Sequence, residues 1–255
     1  MPDVVLYVLA AILGAAIGSF LNVCITRWPE GESVVSPRSR CPRCGNPIGW
    51  RENIPIVSWI LLRARCAACG EAISPLYPAV ELAGALIWLA AVVRYGLAWQ
   101  ALTVAIFFTL LLGIAVTDAR QYIIPDEFSL GGLVLGLLLS IPEGGISVLQ
   151  SVAGAAVGFG LLYITATLGE WWLKKPAMGG GDIKMMAMVG AFLGPLGAVL
   201  TIFLGALIGT AIFLPISLRT QKLVPFGIFL AVGAAATEVW GATIVEWYST
   251  NVLGI

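Results

Sequence analysis

Long apolar runs separated by short polar turns make up most of the chain, and a single polar stretch, 27–77, interrupts them near the start. A helix needs roughly 20 mostly apolar residues to cross about 30 Å of hydrocarbon. By that measure the runs predict about eight transmembrane helices, over 4–26, 78–93, 97–116, 127–141, 146–173, 179–193, 196–218 and 226–245. The first lacks a basic leading region and a small-residue cleavage site, so it reads as a retained span rather than a removable signal. The run 179–193 is short, about 22 Å at 1.5 Å per residue.

Charge sets an orientation for these spans. Seven of the fourteen basic residues, Arg27, Arg38, Arg40, Arg43, Arg51, Arg63 and Arg65, lie in the polar stretch. The positive-inside rule puts that stretch in the cytoplasm and the N-terminus outside. Alternating sides then places the turns around Arg120, around Lys174, Lys175 and Lys184, and around Arg219 and Lys222 in the cytoplasm, leaving only Arg94 on the far side. If 179–193 did not cross, Arg219 and Lys222 would move outside. The charges therefore favour a crossing, as a broken or half-helix lining a cavity. The expected architecture is an all-α polytopic membrane protein with a first helix (1–26), a small cytoplasmic domain (27–77) and a multi-helix membrane domain (78–255).

Composition narrows the chemistry. Residues are 59% hydrophobic and 11% charged, against about 25% charged in soluble domains. Fourteen Lys and Arg balance fourteen Asp and Glu, so no basic patch points to nucleic acid. There is no histidine, which excludes Ser-His, Cys-His and His-metal mechanisms and leaves carboxylates, thiols, lysine or a cofactor.

Within the polar stretch, Cys41-Pro-Arg-Cys44 and Cys66-Ala-Ala-Cys69 stand 21 residues apart, each followed by glycine, Gly45 and Gly70. This is the spacing of a zinc ribbon, in which four thiolates close a tetrahedral structural Zn2+ site with no open position. A cytoplasmic setting keeps thiols reduced and disfavours disulfides. A loop of about fifty residues builds little core, so a metal would supply its folding energy. Cys24, in the first span, reads as a small buried apolar residue.

Ionisable residues near membrane spans are costly and mark function. Glu81, Asp118, Asp126 and Asp182 qualify. Asp118 ends the third span, where a negative charge opposes the helix dipole, so stability does not explain it. Asp126 and Asp182 each precede a helix and could cap it. The run Gly179-Gly180-Gly181 before Asp182 also permits a close approach of backbone or substrate. Glu81 lies one turn into the second span and faces a partner or a cavity. With Asp118 and Asp182 on one membrane face and no histidine, an aspartyl protease is the simplest chemistry. One carboxylate would activate water and the other would protonate the carbonyl oxygen.

These residues resemble the bacterial type IV prepilin peptidases, the prepilin leader peptidase/N-methyltransferases, nearly end to end. Gly18-Ser19-Phe20-Leu21-Asn22-Val23 with Arg27 and Pro29 resembles their first-span signature. Glu52-Asn53-Ile54-Pro55, between the cysteine pairs, and Tyr77-Pro78 with Val80-Glu81-Leu82 fit the same pattern. Asp118 with Ile124-Pro125-Asp126 is similar to the first catalytic motif, Met178 to Lys184 to the Gly-x-Gly-Asp motif with its second catalytic aspartate, and Pro225-Phe226-Gly227 to a later motif. Leu76 replaces a basic residue common before Tyr-Pro, and Arg120 stands where some relatives carry an aspartate, which singles out Asp118.

The resemblance implies Asp118 and Asp182 as catalytic, supported by Gly179, Gly181, Lys184, Asp126 and Glu81, with Cys41, Cys44, Cys66 and Cys69 on the metal. It further implies cleavage of prepilin or type II secretion pseudopilin leaders at the cytoplasmic face of the bacterial inner membrane. Methylation of the new N-terminus with S-adenosylmethionine would follow. No Gly-x-Gly-x-x-Gly signature marks a site for that donor, and 27–77 is its expected location by analogy only. A Gly-x-Gly-Asp protease of the preflagellin or signal-peptide type lacks the cysteine loop. A transporter or channel with an aspartate relay and a zinc-ribbon regulatory loop would predict inverted repeats, which are not found. A scaffold docking through its zinc ribbon would not depend on the aspartates.

Overall fold

The computed structural model describes residues 2–175, 178–220 and 225–254. Eight α-helices account for most of them: α1 (Pro2–Arg27), a short α2 (Val57–Leu61), α3 (Leu76–Tyr95), α4 (Trp99–Gln121), α5 (Asp126–Leu139), α6 (Val148–Leu173), α7 (Gly180–Thr220) and α8 (Phe226–Tyr248). No strand runs through the described residues, only two isolated antiparallel bridges, Arg40 with Pro47 and Arg65 with Ala72. The chain divides into two compact units, up to Thr109 and from Leu110 onward.

Six helices of the described residues are long and apolar enough to cross a membrane. Their outer faces carry large apolar side chains such as Leu9, Ile12, Leu168 and Trp172, all exposed. Exposed side chains of this kind suit a hydrocarbon solvent. One of the eight expected spans falls short. The α5 helix is 14 residues, about 21 Å, shorter than the hydrocarbon layer. The runs 179–193 and 196–218 are two helical segments of α7, as expected, separated by the non-helical Gly194 (φ 72°, ψ −178°). A Cβ at Gly158 of α6 would meet both the Met186 carbonyl and, at 3.5 Å, the Ala198 Cβ, residues that one continuous helix would hold about 18 Å apart, so the second segment doubles back on the first. Gly194 adopts a backbone that a side chain would resist, and Pro195 restarts the helix where its missing N–H does no harm. The turn around Lys222 lies outside the described residues, as does the side chain of Arg219.

In the first unit α1 packs along α3 through glycine. A methyl group at Gly14 would strike the carbonyl oxygen of Gly84, and one at Gly18 would come within 2.8 Å of the Glu81 Cα. Such contacts bring backbones together where lipid offers no hydrophobic drive. The Asn22 amide fastens the same pair by donating to the Tyr77 carbonyl at 3.0 Å.

In the second unit α7 lies against α5, α6 and α8. Gly154 and Gly158 of α6 lie directly on the carbonyls of Gly190 and Met186, and Thr201 of α7 donates to Thr237 of α8 at 3.2 Å. The break in α7 also explains a buried serine. Pro195 has no N–H for the carbonyl of Ala191, four residues earlier. Ser151 of α6, fully buried, donates its hydroxyl to that carbonyl at 2.7 Å. Ser151→Ala would orphan a buried acceptor at a cost of about 1–3 kcal/mol. The expected result is a lower midpoint of thermal unfolding in detergent; an unchanged midpoint would show that the carbonyl finds another donor.

Candidate functional site: an acidic pair and a four-thiol lobe

Asp118 occupies the last turn of α4, buried at 5% exposure. Helix α4 stops at Gln121, and Tyr122 just beyond it takes a left-handed backbone (φ 57°) and donates its N–H to the Asp118 carbonyl. A carboxylate at this end of a helix is disfavoured by its own dipole. The compensation comes from α8: the Ile228 N–H, in the first turn of that helix, donates to Asp118 Oδ2 at 3.0 Å. The approach requires a glycine next door, because a Cβ at Gly227 would stand 2.9 Å from the same oxygen. That contact gives Pro225-Phe226-Gly227 a physical reason.

Asp182 lies in the first turn of α7. Its carboxylate accepts the backbone N–H of Gly179 and feels the charge of Asp118. Ile124 stands between the two glycine-lined approaches: a Cβ at Gly181 would meet Ile124 Cβ at 3.0 Å, and one at Gly227 would meet Ile124 Cδ1 at 2.8 Å. The chain ends of α4, α7 and α8 therefore converge on one spot and bring Asp118 and Asp182 together.

Lys184 and Asp126 join the starts of α7 and α5. The Lys184 ammonium donates to both Asp126 oxygens, at 2.7 and 2.9 Å. Capping, one reading of Asp126 from sequence, does not hold: Pro125 precedes the helix and no side-chain cap bond forms. Asp182 also lies inside its helix, not before it.

Glu81 belongs to the first unit and is buried in α3. Its Oε2 accepts the Ile56 N–H at 2.7 Å. Ile56 has φ 63°, and Val57 N–H donates back to the Pro55 carbonyl at 2.6 Å, closing a γ-turn. A β-branched residue with this backbone is an outlier. It persists only where its surroundings over-determine it.

The four cysteines gather as expected. Their sulfurs all lie within 4.8 Å of one another, with Cys41 and Cys69 Sγ 3.9 Å apart. A tetrahedron with metal–sulfur bonds of about 2.3 Å has edges of about 3.8 Å, so the donor set fits a thiophilic cation. The two pairs repeat one geometry. Gly45 and Gly70 both take φ 71° and donate to the carbonyls of Cys41 and Cys66 at 2.9 Å. Cys41 and Cys66 donate in turn to Asn46 and Glu71. Arg43 and Glu71, 3.0 Å apart, tie one pair to the other.

The backbone N–H groups of Cys44 and Arg43 hold the Cys41 thiol down at about 7. Although the Glu71 N–H favours its thiolate, Cys69 is pushed up to about 12 by desolvation and by the sulfurs of Cys44, Cys66 and Cys41. Four neighbouring thiols resist joint ionisation without a cation to share.

One feature had no signal in the sequence. A cavity of about 470 Å³ opens in the first unit between α1 and the loop that follows it; Ser19, Phe20, Arg27, Arg38, Trp50 and Asn53 help to line it.

Helices that span a bilayer, an acidic pair at their converging ends and a compact four-thiol lobe define a polytopic membrane protein equipped for carboxylate chemistry. Comparison with known proteins makes that class specific. The family model described as Bacterial Peptidase A24 N-terminal domain matches residues 12–95, and that of the Type IV leader peptidase family matches 105–214. The chain is 34% identical, over 96% of its length and 94% of the relative's, to a prepilin leader peptidase/N-methyltransferase of Aeromonas hydrophila. It is 41% identical over 71% of its length to one from Myxococcus xanthus, of which it spans 54%. A type 4 prepilin-like proteins leader peptide-processing enzyme of Escherichia coli is 36% identical over 90% of the chain and 92% of that relative. No solved structure matches the chain. The protein belongs to the type IV leader peptidase family.

Proposed function

We propose that the protein is a membrane aspartyl endopeptidase that removes the leader from type IV prepilins or type II secretion pseudopilins and then methylates the new N-terminus. The observation that carries the reading is the convergence of Asp118, at the end of α4, and Asp182, at the start of α7, around Ile124, against which both Gly181 and Gly227 close. Two coupled carboxylates perform acid–base hydrolysis by holding one proton between them. The ionised partner takes a proton from water as the oxygen attacks the scissile carbonyl. The protonated partner gives its proton to the carbonyl oxygen; as the C–N bond breaks it takes one back from a hydroxyl of the tetrahedral intermediate, and the first partner hands the proton taken from water to the leaving amine. The Ile228 N–H fixes Asp118 throughout, and the Lys184–Asp126 pair holds the helix starts that frame the site.

In this reading the basic loop sets the orientation: N-terminus outside the bacterial inner membrane, four-cysteine lobe (27–77) and acidic pair at the cytoplasmic side, and a peptidase domain across 78–255. The lipid bilayer is its solvent. Cys41, Cys44, Cys66 and Cys69 hold a structural Zn2+, and S-adenosylmethionine supplies the methyl group for the second reaction.

The test is cleavage of a model prepilin in membranes, followed by mass. The expected products are the free leader and a mature chain heavier by one methyl group when the donor is added. The dependence of kcat/KM on pH should be bell-shaped, with two apparent pKa values belonging to the pair jointly. A profile with a single inflection, on a substrate that does not titrate, would remove the shared-proton mechanism.

A further inference from the structure

Within the polar stretch, α2 turns its apolar side chains the wrong way for a lobe bathed in water. Val57, Ile60 and Leu61, at i, i+3 and i+4 and so on one helix face, are all exposed, as are Trp50 and Ile54 just before them. The other side of the helix is committed to the lobe: Ser58 is buried and gives its hydroxyl to the Ile54 carbonyl, and the Trp59 indole N–H donates to the Ile73 carbonyl at 3.1 Å. A contiguous apolar stripe left uncovered asks for a partner. We propose that this stripe is seated in the phospholipid leaflet at the Arg27 end of α1, with acyl chains against Val57, Ile60 and Leu61 and lipid phosphates against Arg63 and Arg65.

Depth carries the proposal. The 20 residues of α3 measure about 30 Å, the thickness of the hydrocarbon layer, so the first turn of α3 marks the edge of that layer. The bond from Asn22 to the Tyr77 carbonyl sets the same level on α1. Glu81 lies four residues on from Tyr77, about 6 Å inside the edge. Its Oε2 holds the N–H of Ile56, the residue that opens α2. Since a helical side chain leans toward the helix start, α2 begins between that depth and the edge. At this level water does not satisfy a free backbone N–H, which gives a buried carboxylate in α3 its use.

A second set of contacts reports the same level independently. Trp50, Asn53 and Pro55 share a cavity with Ala16, Ser19, Phe20 and Val23 of α1. Those four lie four to eleven residues before Arg27, roughly 6–17 Å down the helix. Residues 50–56 therefore run beside the membrane-level parts of α1 and α3, not beyond their ends.

Charge fits the same partner. Residues 53–70 contain Arg63 and Arg65, both exposed, and no carboxylate. Basic side chains beside an apolar stripe are the composition of an interfacial segment: the stems lie along apolar surface and the forks meet phosphate. Arg51 sits over the Trp50 ring at 5.0 Å, and tryptophan and arginine are both at home at headgroup level. The acid beside them, Glu52, is turned back onto the Gly49 N–H at 2.9 Å.

The test places the photoreactive residue p-benzoylphenylalanine, which bonds to C–H groups within its reach, at single positions of the full chain in phospholipid nanodiscs. Adducts are read by mass after irradiation. Position 12, on an exposed apolar part of α1, is the membrane standard, and position 30, exposed beyond Arg27, is the aqueous one. Labels at 60 and 61 are expected to give phospholipid adducts at the level of position 12 and about tenfold or more above position 30, the scale set by burying a side chain of this size. Leu61→Asp should cut the adduct at position 60 about tenfold, with the midpoint of thermal unfolding kept. Glu81→Ala should lower the same adduct and Glu81→Gln, which keeps an acceptor for the Ile56 N–H, should restore it. Adducts at 60 and 61 no more frequent than at 30, or adducts joined to protein in place of lipid, would overturn the proposal.

Discussion

Asp118→Asn and Asp182→Asn are each expected to lower leader cleavage by about 10²–10⁴-fold, the usual scale of a lost acid–base group. The change preserves shape. An asparagine oxygen at position 118 still accepts the Ile228 N–H, and one at 182 still accepts the Gly179 N–H, so the helix ends stay seated. What disappears is the ability to exchange a proton. Because the carboxylates act as a unit, the double variant should be scarcely worse than either single one, since catalytic partners are grossly non-additive. Methylation of a substrate supplied already cleaved should survive in all three, because methyl transfer has no use for a pair of carboxylates that activates water. The measurement is single-turnover cleavage in membranes at matched protein levels. Retained cleavage in either single variant would remove the two-aspartate mechanism.

Loss of the metal is the second large effect. Cys41→Ser removes one of four sulfurs from a cluster whose members lie within 4.8 Å. Structural zinc sites contribute about 10–16 kcal/mol in small peptides, and a lobe with little core has no substitute. The variant, or wild type treated with a strong chelator, is expected to lose the metal proposed for this cluster and to expose Cys44, Cys66 and Cys69 to thiol reagents. Metal analysis with thiol titration checks this. A chain that keeps its four-thiol lobe closed to reagents without metal would show that hydrogen bonds alone hold it.

Much of this was legible in the residues, and the exceptions have physical reasons. The spans of α1, α3, α4, α6 and α8 follow directly from length and apolarity, and the two cysteine pairs announce their cluster by spacing and by the glycine after each. Gly194-Pro195 marks the boundary between the expected runs 179–193 and 196–218, and the chain does break there, at a backbone that glycine accepts. Hydropathy could not show that the 14 residues of α5 stop short of a full crossing. Asp126 beside a helix start reads as a cap until Lys184, 58 residues away, is seen to take both of its oxygens. The γ-turn at Ile56 runs against the propensity of its own side chain, so only the tertiary contact with Glu81 reveals it. The cavity is invisible for the same reason: α1 and residues 34–55 meet only in the folded chain.

The break in α7 fixes which parts of the second unit can yield. Ser151 answers the carbonyl that Pro195 leaves free, and glycine at 154, 158 and 190 leaves no side chain between the backbones of α6 and α7. The segment carrying Asp182 thus travels with α6 as one slab, with nothing soft in the seam. At the acidic pair itself the starts of α5 and α8 are tied in by one ammonium–carboxylate pair and one amide, so those two contacts are the ones whose loss would let Asp118 and Asp182 move apart while the packed lengths of the helices stay seated.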